Sequence, residues 1–513
     1  MPVMARNVVA TSQPLAAQAG LQMMQQGGNA IDAALATAIA LTVVEPNMNG
    51  IGSDAFAILW DGEQLHGLNA SGRSPQAWSP QHYSKYEHMP SFGWDTVTVP
   101  GCVSAWSALS ERFGQLPFAD LFEPAISYAR HGWLVPPVTA ASWGEAARTH
   151  ENHPDWQAVF TLEGRAPLPG ERFAFPAQAE TLEKIAETGG QDFYQGDLAE
   201  QIAAHARAGG GLLTVDDLAS HQPEWVKPLA VDYRGQSLHE IPPNGQGITA
   251  LIALGILRQF DLAAHPVDSA DCLHLQIEAM KLAFADAKRY VADPEAGDID
   301  FEALLDDGYL QRRAADIDMA AAQAPVFGTP EQGDTVYLTA ADEEGRMISF
   351  IQSNFGGFGS GVVVPDTGIS LQNRGAGFTL EPGHPNQVGG SKRPYHTIIP
   401  AFVTRDGQPL ISCGVMGGHM QPQGHAQVMV RLFDYGQNPQ TALDAPRWRF
   451  DTGLDVSIEE SAGTEVLAQL EGRGHHMRLR DAAHFGGGQV IHRLDEGYLA
   501  ASEPRKDGQA VGF

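Results

Sequence analysis

Short apolar runs and longer amphipathic runs alternate along the first seventy residues. Val8 to Thr11 is a short apolar stretch typical of a strand, and Ser12 with Pro14 supplies the start of a helix that ends at Gly27-Gly28. Two further apolar runs flank Asp61-Gly62, a pair that favours a hairpin turn. The remaining elements predicted in this part are a helix over 31–44 and two strands over 55–60 and 64–69.

The middle of the chain differs in pattern from its last third. Residues from about 100 to 330 are predicted to be mostly helical, including helices over Gln246–Phe260 and Ser269–Val291. The second of these has an amphipathic face typical of core packing. From residue 335 onward short apolar strands prevail, with helices such as Gln423–Asp434 between them. The alternation predicts a layered α/β protein, and since no linker, repeat or charge block divides the chain, we expect one large domain.

The segment Gly333-Asp334-Thr335 is the first candidate for chemistry. A threonine follows a flexible Gly-Asp pair and opens an alternating apolar run, as in a loop that leads into a strand. If the chain cuts itself before Thr335, that residue becomes a new N-terminus, with a hydroxyl nucleophile and its own amine as the base. The local pattern alone is also ordinary turn chemistry, so the interpretation depends on the surrounding sequence.

Ordered glycine-rich and polar segments surround this threonine on both sides. Upstream are Gly27-Gly28-Asn29-Ala30, Glu45-Pro46, Gly50-Ile51-Gly52 and Arg73; downstream are Lys392-Arg393-Pro394, Gly417-Gly418 and the stretch from Asp434-Tyr435-Gly436 to Ala445-Pro446-Arg447. In this order the set resembles the γ-glutamyltransferase family of N-terminal nucleophile hydrolases over nearly the whole chain. The resemblance implies a four-layer αββα sandwich. It also implies a large fragment of 1–334 and a small fragment of 335–513 that together form one intertwined domain.

The resemblance assigns the catalytic roles to four residues. Thr335 is the nucleophile, released by cleavage of the Asp334–Thr335 bond, and Ser353 is the second hydroxyl that supports it, 18 residues later. Gly417 and Gly418 correspond to the pair whose backbone N–H groups form the oxyanion hole, a function for which glycine allows the close approach. The expected enzyme is a zymogen that transfers or hydrolyses a γ-glutamyl-type acyl group through a threonyl ester.

Four further residues match substrate-binding positions of the family. Arg73 corresponds to the arginine that grips the substrate's α-carboxylate, a role suited to bidentate guanidinium geometry. Asn354 falls close to a substrate-binding asparagine. His396 and Thr397 occupy the place of two serines that bind the carboxylate; Thr397 keeps the hydroxyl, whereas His396 brings an imidazole.

The sequence departs from the family pattern where the substrate's α-amine is recognised. Counting from Thr335 places Arg374 at the family's glutamine and Gly377 at its aspartate. The acid that would hold an ammonium is then absent and a positive charge has appeared, so the site should prefer an acyl group that is more anionic or that lacks a free α-amine, unless Asp366 or Glu381 substitutes. The stretch Thr379–Ser391 is also shorter than in members that carry a lid, which favours hydrolysis over transfer.

Composition limits the partners. With 61 acidic and 32 basic residues the formal charge is −29, which argues against nucleic-acid and anionic-membrane partners. The start of the chain shows no secretory signal, so we expect a cytoplasmic protein. The expected partners are a small acyl donor with water or an amine acceptor. The two fragments are expected to form a processed heterodimer that can dimerise again.

Several alternatives stay open at this stage. An amidase of the same fold, acting on a glutaryl or small oxo-acid amide, would suit Arg73 and Arg374. An unprocessed, non-catalytic scaffold is also compatible with the sequence. A metal hydrolase and a phosphate-binding loop at residues 356–361 are disfavoured, since His475-His476 and His419 with His425 lack ligand spacing and the loop lacks its lysine. We therefore predict no metal and no cofactor.

Overall fold

The computed structural model describes residues 1–297, 299–324 and 334–513. The predicted loop at Gly333 and the last residues of the predicted helical region lie outside these ranges. In chain order the strands are β1 (Val3–Ala5), β2 (Val8–Thr11), β3 (Asp54–Trp60), β4 (Leu65–Asn69), β5 (Trp133–Leu134), β6 (Arg172–Phe173), β7 (Glu224–Val226), β8 (Leu229–Tyr233), β9 (Gln236–Glu240), β10 (Asp334–Ala341), β11 (Met347–Phe355), β12 (Val363–Val364), β13 (Ile369–Ser370), β14 (Ala401–Arg405), β15 (Gln408–Met416), β16 (Trp448–Thr452), β17 (Asp455–Glu459), β18 (His476–Arg480), β19 (Gly487–Arg493), β20 (Tyr498–Ser502) and β21 (Gln509–Gly512).

The helices lie mostly before residue 320. They are α1 (Pro14–Gln25), α2 (Ala30–Val44), α3 (Cys102–Phe113), α4 (Glu123–His131), α5 (Pro137–Thr149), α6 (Pro154–Phe160), α7 (Pro176–Thr188), α8 (Gln191–Gln195), α9 (Asp197–Ala208), α10 (Val215–Ala219), α11 (Gly247–Leu257), α12 (Ala270–Tyr290), α13 (Asp307–Ala315), α14 (Met420–Phe433), α15 (Pro439–Asp444) and α16 (Thr464–Gly472). No helix in the described ranges has the length and apolar character needed to cross a membrane.

Two seven-stranded antiparallel sheets form the centre of the molecule. Sheet I has the strand order β1-β20-β19-β15-β14-β9-β8, and sheet II has the order β21-β2-β10-β11-β3-β4-β7. Apolar side chains from both sheets, such as Phe56, Tyr337 and Phe402, pack between them. Because strand side chains alternate between faces, each sheet also has an outer apolar face that must be covered.

Helices cover both outer faces. Helices α1, α2 and α3 pack on sheet II, with α4 against α2 and α7 against α4. Helices α11 and α14 pack on sheet I, with α12 against both of them. The result is the predicted four-layer αββα sandwich. Both sheets combine strands from before and after residue 334, so neither predicted fragment contains a complete sheet.

The predicted hairpin and the long amphipathic helix are present, the helix as α12 with its apolar residues buried. The mostly helical reading of residues 100–330 was wrong for residues 224–240, where β7, β8 and β9 form edge strands of the two sheets. Strands β8 and β9 are joined at Arg234 and Gly235, both with positive φ (52° and 79°). This is the geometry of a tight hairpin turn, and Arg-Gly is the only local sign of it.

Candidate active site

Thr335 lies near the start of β10, in the middle of sheet II, and is 1% exposed. The pairing with β11 shifts register between Asp334 and Val336, so Thr335 sits at an irregularity in the ladder. Its Oγ1 donates to Ser353 Oγ at 3.2 Å and accepts from Gln421 Nε2 at 3.3 Å. The structure thus brings the predicted nucleophile and the predicted second hydroxyl together, with Gln421 as a third member.

Gly417 and Gly418 form the turn between β15 and α14. Their φ angles are 114° and 58°, values that disfavour L side chains, and a Cβ at Gly417 would lie 3.0 Å from Gly486 Cα. Gln421, in the first turn of α14, joins this turn to Thr335. The predicted oxyanion residues therefore lie at the N-terminus of a helix linked to the nucleophile, where backbone N–H groups favour a developing negative charge.

Arg374 is a buried cation that is only partly paired. It is 1% exposed, and its Nη1 donates to Thr397 Oγ1 at 2.6 Å. Its Nε and Nη2 are buried without a hydrogen-bond partner in the ranges that the structure describes. The guanidinium also lies 4.9 Å from the centre of the Phe355 ring, in a cation–π contact. Since unsatisfied buried donors are costly, these N–H groups are suited to an anionic ligand.

Asp54 and His396 lie beside this arginine, both fully buried. Asp54 Oδ2 is 3.0 Å from His396 Nε2, while His396 Nδ1 accepts from the Ile398 N–H, so Nε2 donates to Asp54. Burial raises the pKa of Asp54 to about 7, opposed by the charge of Arg374, and lowers the pKa of His396 well below its usual value. Burial also lowers the pKa of Arg374 to about 9, with the charge of Asp54 opposing, so the guanidinium stays protonated at neutral pH.

A cavity of about 680 Å³ opens beside this group and is called the main cavity below. Its lining residues are Glu87, His88, Met89, Lys288, Val291, Phe355, Ala376, Gly377, Phe378, Thr379, Leu380, Glu381, His384, Asn386, Tyr395, Thr397 and His419. It therefore touches the predicted site at Thr397, at Gly377 and at Phe355, whose N–H donates to Ser353 Oγ at 2.8 Å. Glu381, one of the two proposed substitutes for the missing acid, lines this cavity, whereas Asp366 lines a different one.

Two predicted substrate-binding residues are occupied by other parts of the protein. Asn354 accepts from Ser53 Oγ at 2.8 Å and donates to Ser370 Oγ at 3.2 Å. Arg73 pairs with Asp293 at 2.8 Å, and also with Glu295 at 3.1 Å. Neither side chain lines the main cavity. Their substrate-binding roles stay predictions, and Arg73 would have to exchange internal carboxylates for that of a substrate.

One buried group has the composition of a metal site. Ligand atoms of His274, Glu278 and His475 lie within 4.8 Å of one another. Lys281 fills the same place, since its ammonium donates to Glu278 at 2.7 Å, to the Gln323 carbonyl at 3.0 Å and to His475 Nδ1 at 3.4 Å. All three ammonium protons have acceptors, so the lysine itself supplies the positive charge that this group needs.

The sequence analysis did not identify three residues of this region. Asp54 lies two residues after Gly52, Gln421 lies three residues after Gly418, and Lys288 lies on α12, which was assigned to packing. A polar residue in the helix that follows the Gly417-Gly418 pair was a usable signal for Gln421. No local pattern distinguishes Lys288 from an ordinary surface lysine.

Comparison with known proteins agrees with this geometry. The model of the gamma-glutamyltranspeptidase family matches residues 16–513. The chain belongs to the γ-glutamyltranspeptidase family. Like the characterised members of that family it is an enzyme, and its fold is that of the N-terminal nucleophile hydrolases.

Relatives within the family carry different substrate names. The glutathione hydrolase-like YwrD proenzyme of Bacillus subtilis is 37% identical, with 99% of this chain and 98% of the relative aligned. The oxamate amidohydrolase proenzyme of Klebsiella pneumoniae is 35% identical, with 97% of each aligned. The crystal structure of cephalosporin acylase from Bacillus halodurans superposes with a TM-score of 0.96 at 49% identity, covering 100% of this chain and 97% of that one. The family is thus common to proteins named for γ-glutamyl and for other amide substrates.

Proposed function

We propose that this protein cleaves itself before Thr335 and then transfers or hydrolyses a γ-glutamyl-type acyl group through a threonyl ester. The observation that carries the proposal is the placement of the Thr335 hydroxyl between Ser353 and Gln421, next to the Gly417-Gly418 turn. Relatives named proenzymes support the self-cleavage.

Self-cleavage needs only groups of the chain and one water. Thr335 Oγ1 attacks the carbonyl carbon of Asp334 and gives up its proton, which the Thr335 nitrogen takes as the C–N bond breaks, so the acyl group moves from nitrogen to oxygen. Ser353 accepts a hydrogen bond from the attacking hydroxyl, at 3.2 Å. Water then hydrolyses the ester, which gives the carboxylate of Asp334 and a free amine on Thr335. The two fragments remain together because both sheets contain strands of each.

Turnover uses the amine just released. An α-amine has an unperturbed pKa of about 7.7–8.0, so near neutral pH it can accept the proton of the Thr335 hydroxyl. The oxygen attacks the substrate amide, and the negative charge of the tetrahedral intermediate is stabilised by the N–H groups of Gly417 and Gly418. The proton passes to the leaving amine, the C–N bond breaks, and water or an amine acceptor takes the acyl group from Thr335.

A second candidate substrate class is a dicarboxylic amide, with a glutaryl or small oxo-acid acyl group. It is favoured by Nε and Nη2 of buried Arg374, which have no hydrogen-bond partner among the described residues and suit a carboxylate on the acyl group. Gly377, at the position of the family's aspartate, lines the main cavity and offers no acid to an ammonium. Glu381 and Glu87 line the same cavity, so a γ-glutamyl ammonium has two carboxylates within it.

Cleavage is tested by comparing the wild type with Thr335→Ala on a denaturing gel and by intact mass. Scaling 55.0 kDa by the 334 and 179 residues of the fragments, we expect bands of about 36 and 19 kDa in the wild type and one uncut chain in the variant. Thr339→Ala is a matched control, because it makes the same change at another buried position of β10 and should leave cleavage intact. An uncut wild type would contradict the mechanism and favour the scaffold alternative.

A further inference from the structure

Lys288 is a partly buried lysine on the wall of the main cavity, in the last turn of α12. Its backbone carbonyl accepts from His384 Nε2 at 3.1 Å, which ties the helix end to the opposite wall. In the ranges that the structure describes, its ammonium forms no ion pair and no hydrogen bond. Burial alone lowers the pKa of Lys288 to about 8, with no carboxylate opposing the shift. A cation in this position has a strong preference for an anionic ligand.

Lys288 lines the main cavity, and Arg374 adjoins it through two lining residues, Thr397 and Phe355. Burial and the charges of Lys288, Arg449 and Arg374 lower the pKa of His419, which also lines the cavity, to about 3. His419 is therefore neutral, and its Nδ1 lies 3.2 Å from Gln246 Oε1. The other titratable groups of the cavity are His88, His384, Tyr395 and the carboxylates of Glu87 and Glu381. The carboxylates of Glu87 and Glu381 do not contribute to the pKa shift of Lys288, so the charge of this lysine is available to a ligand.

We propose that Lys288 is a specificity-determining residue. Together with Arg374 it selects acyl groups that carry a carboxylate and no ammonium, which are acyl groups of the glutaryl type. An ammonium on the acyl group would be repelled by both cations. A carboxylate would gain a charge-assisted hydrogen bond from Lys288 and would supply the acceptor that Arg374 lacks. This inference rests on the second substrate class of the proposed function, since it assumes that the main cavity holds a dicarboxylic acyl group of the glutaryl type.

The test uses three p-nitroanilide donors that share one leaving group: glutaryl, its neutral methyl ester and γ-glutamyl. In Lys288→Met we expect kcat/KM for the glutaryl donor to fall about 10- to 100-fold, the range for a hydrogen bond to a charged group, and that for the ester to change less than about threefold. Lys288→Arg keeps the charge and should retain most of the activity. Lys184→Met makes the same change at an exposed position of helix α7 and should have no effect.

A pH series gives a readout that a purely structural role would not change. Lysine is charged below its pKa, so in the wild type the KM for the glutaryl donor should rise as the pH passes through about 8. The KM for the ester should not show this rise, and Lys288→Met should remove it for the glutaryl donor. The fraction of self-cleaved chain, measured on a gel, normalises every rate.

Equal losses for the glutaryl donor and its ester in Lys288→Met would overturn the inference while leaving the proposed function intact. If the wild type hydrolyses none of the three donors, the proposed substrate class fails. Calorimetric titration of the wild type and Lys288→Met with glutarate at pH 7 and 9.5 then tests independently whether Lys288 binds a carboxylate. Tighter binding at pH 7 that Lys288→Met abolishes supports the inference. Equal affinity in both proteins overturns it.

Discussion

Replacing Arg374 by methionine should make the protein more stable and less active. The guanidinium is 1% exposed, and in the ranges that the structure describes two of its nitrogens, Nε and Nη2, have no hydrogen-bond partner; each such buried nitrogen costs about 1–3 kcal/mol. Against this, the change loses the hydrogen bond to Thr397, about 1.5–3 kcal/mol, and the contact with the Phe355 ring, about 0.5–2 kcal/mol. Asp54 loses a nearby cation at small cost, because its pKa is already raised to about 7.

Removal of the buried charge of Arg374 decides whether the substitution raises or lowers the stability. Replacing a whole buried ion pair by apolar residues of similar volume is often neutral or stabilising by about 1–4 kcal/mol, whereas removing one partner of a pair is destabilising. In the described ranges Arg374 hydrogen-bonds only the neutral Thr397 hydroxyl and forms no ion pair, so its removal leaves no carboxylate without an ion-pair partner and the first range applies. With an unfolding entropy of about 2.1 cal/mol/K per residue over 513 residues, this gives a rise in Tm of about 1–4 °C. Activity on a glutaryl donor should fall by at least the roughly tenfold expected for a lost charged hydrogen bond.

The assay is scanning calorimetry at a fixed scan rate, with and without glutarate, alongside anilide kinetics. Arg447→Met is the matched control, since Arg447 is equally buried but pairs with Glu503 at 2.7 Å. Breaking that pair should destabilise by about 3–5 kcal/mol. Glutarate should raise the Tm of the wild type and not that of Arg374→Met. A fall in Tm of several degrees in Arg374→Met, with activity retained, would refute the reasoning.

Two further predictions concern the glycine turn and the buried lysine. Gly417→Ala places a side chain on a residue with a φ of 114°, at 3.0 Å from Gly486 Cα, so kcat should fall about 10²–10³-fold. The control Gly436→Ala has a φ of 61° in open space and should keep full activity. Steady-state kinetics of the cleaved enzymes measure both effects. Lys281→Met leaves Glu278, 2% exposed, without its ion-pair partner and should lower the unfolding free energy by about 3–5 kcal/mol. Adding Glu278→Gln to Lys281→Met should recover part of that loss, as measured by calorimetry. A loss in the double variant as large as that in Lys281→Met alone, or larger, would contradict this prediction.

The candidate catalytic residues could be predicted from sequence because each rests on a local pattern. Thr335 opens an alternating apolar run, Ser353 follows 18 residues later on the paired strand, and the Gly417-Gly418 pair ends another strand. Each of these is a short pattern whose backbone requirements fall on neighbouring residues. The periodicity of α12 and of the 55–69 hairpin is local in the same sense, and both elements formed as predicted.

Only the tertiary structure decided which cationic side chains are paired and which residues they pair with. The sequence marks Arg73 and Arg374 as two similar arginines, yet Arg73 meets Asp293, 220 residues away, and Arg374 is buried. Among the described residues two of the three guanidinium nitrogens of Arg374 have no hydrogen-bond partner. Lys288 becomes a candidate only because α12 and the 376–386 segment enclose the main cavity around it.

The physical reason is that burial and pairing are sums over residues distant in the chain. Desolvation raises the pKa of Asp54 and lowers that of Lys288 through neighbours that the fold brings together. The sequence by itself therefore predicted which residues are candidates for the acyl transfer and the order in which they occur. Only the tertiary structure, over the residues it describes, decided which cations keep buried N–H donors without an acceptor.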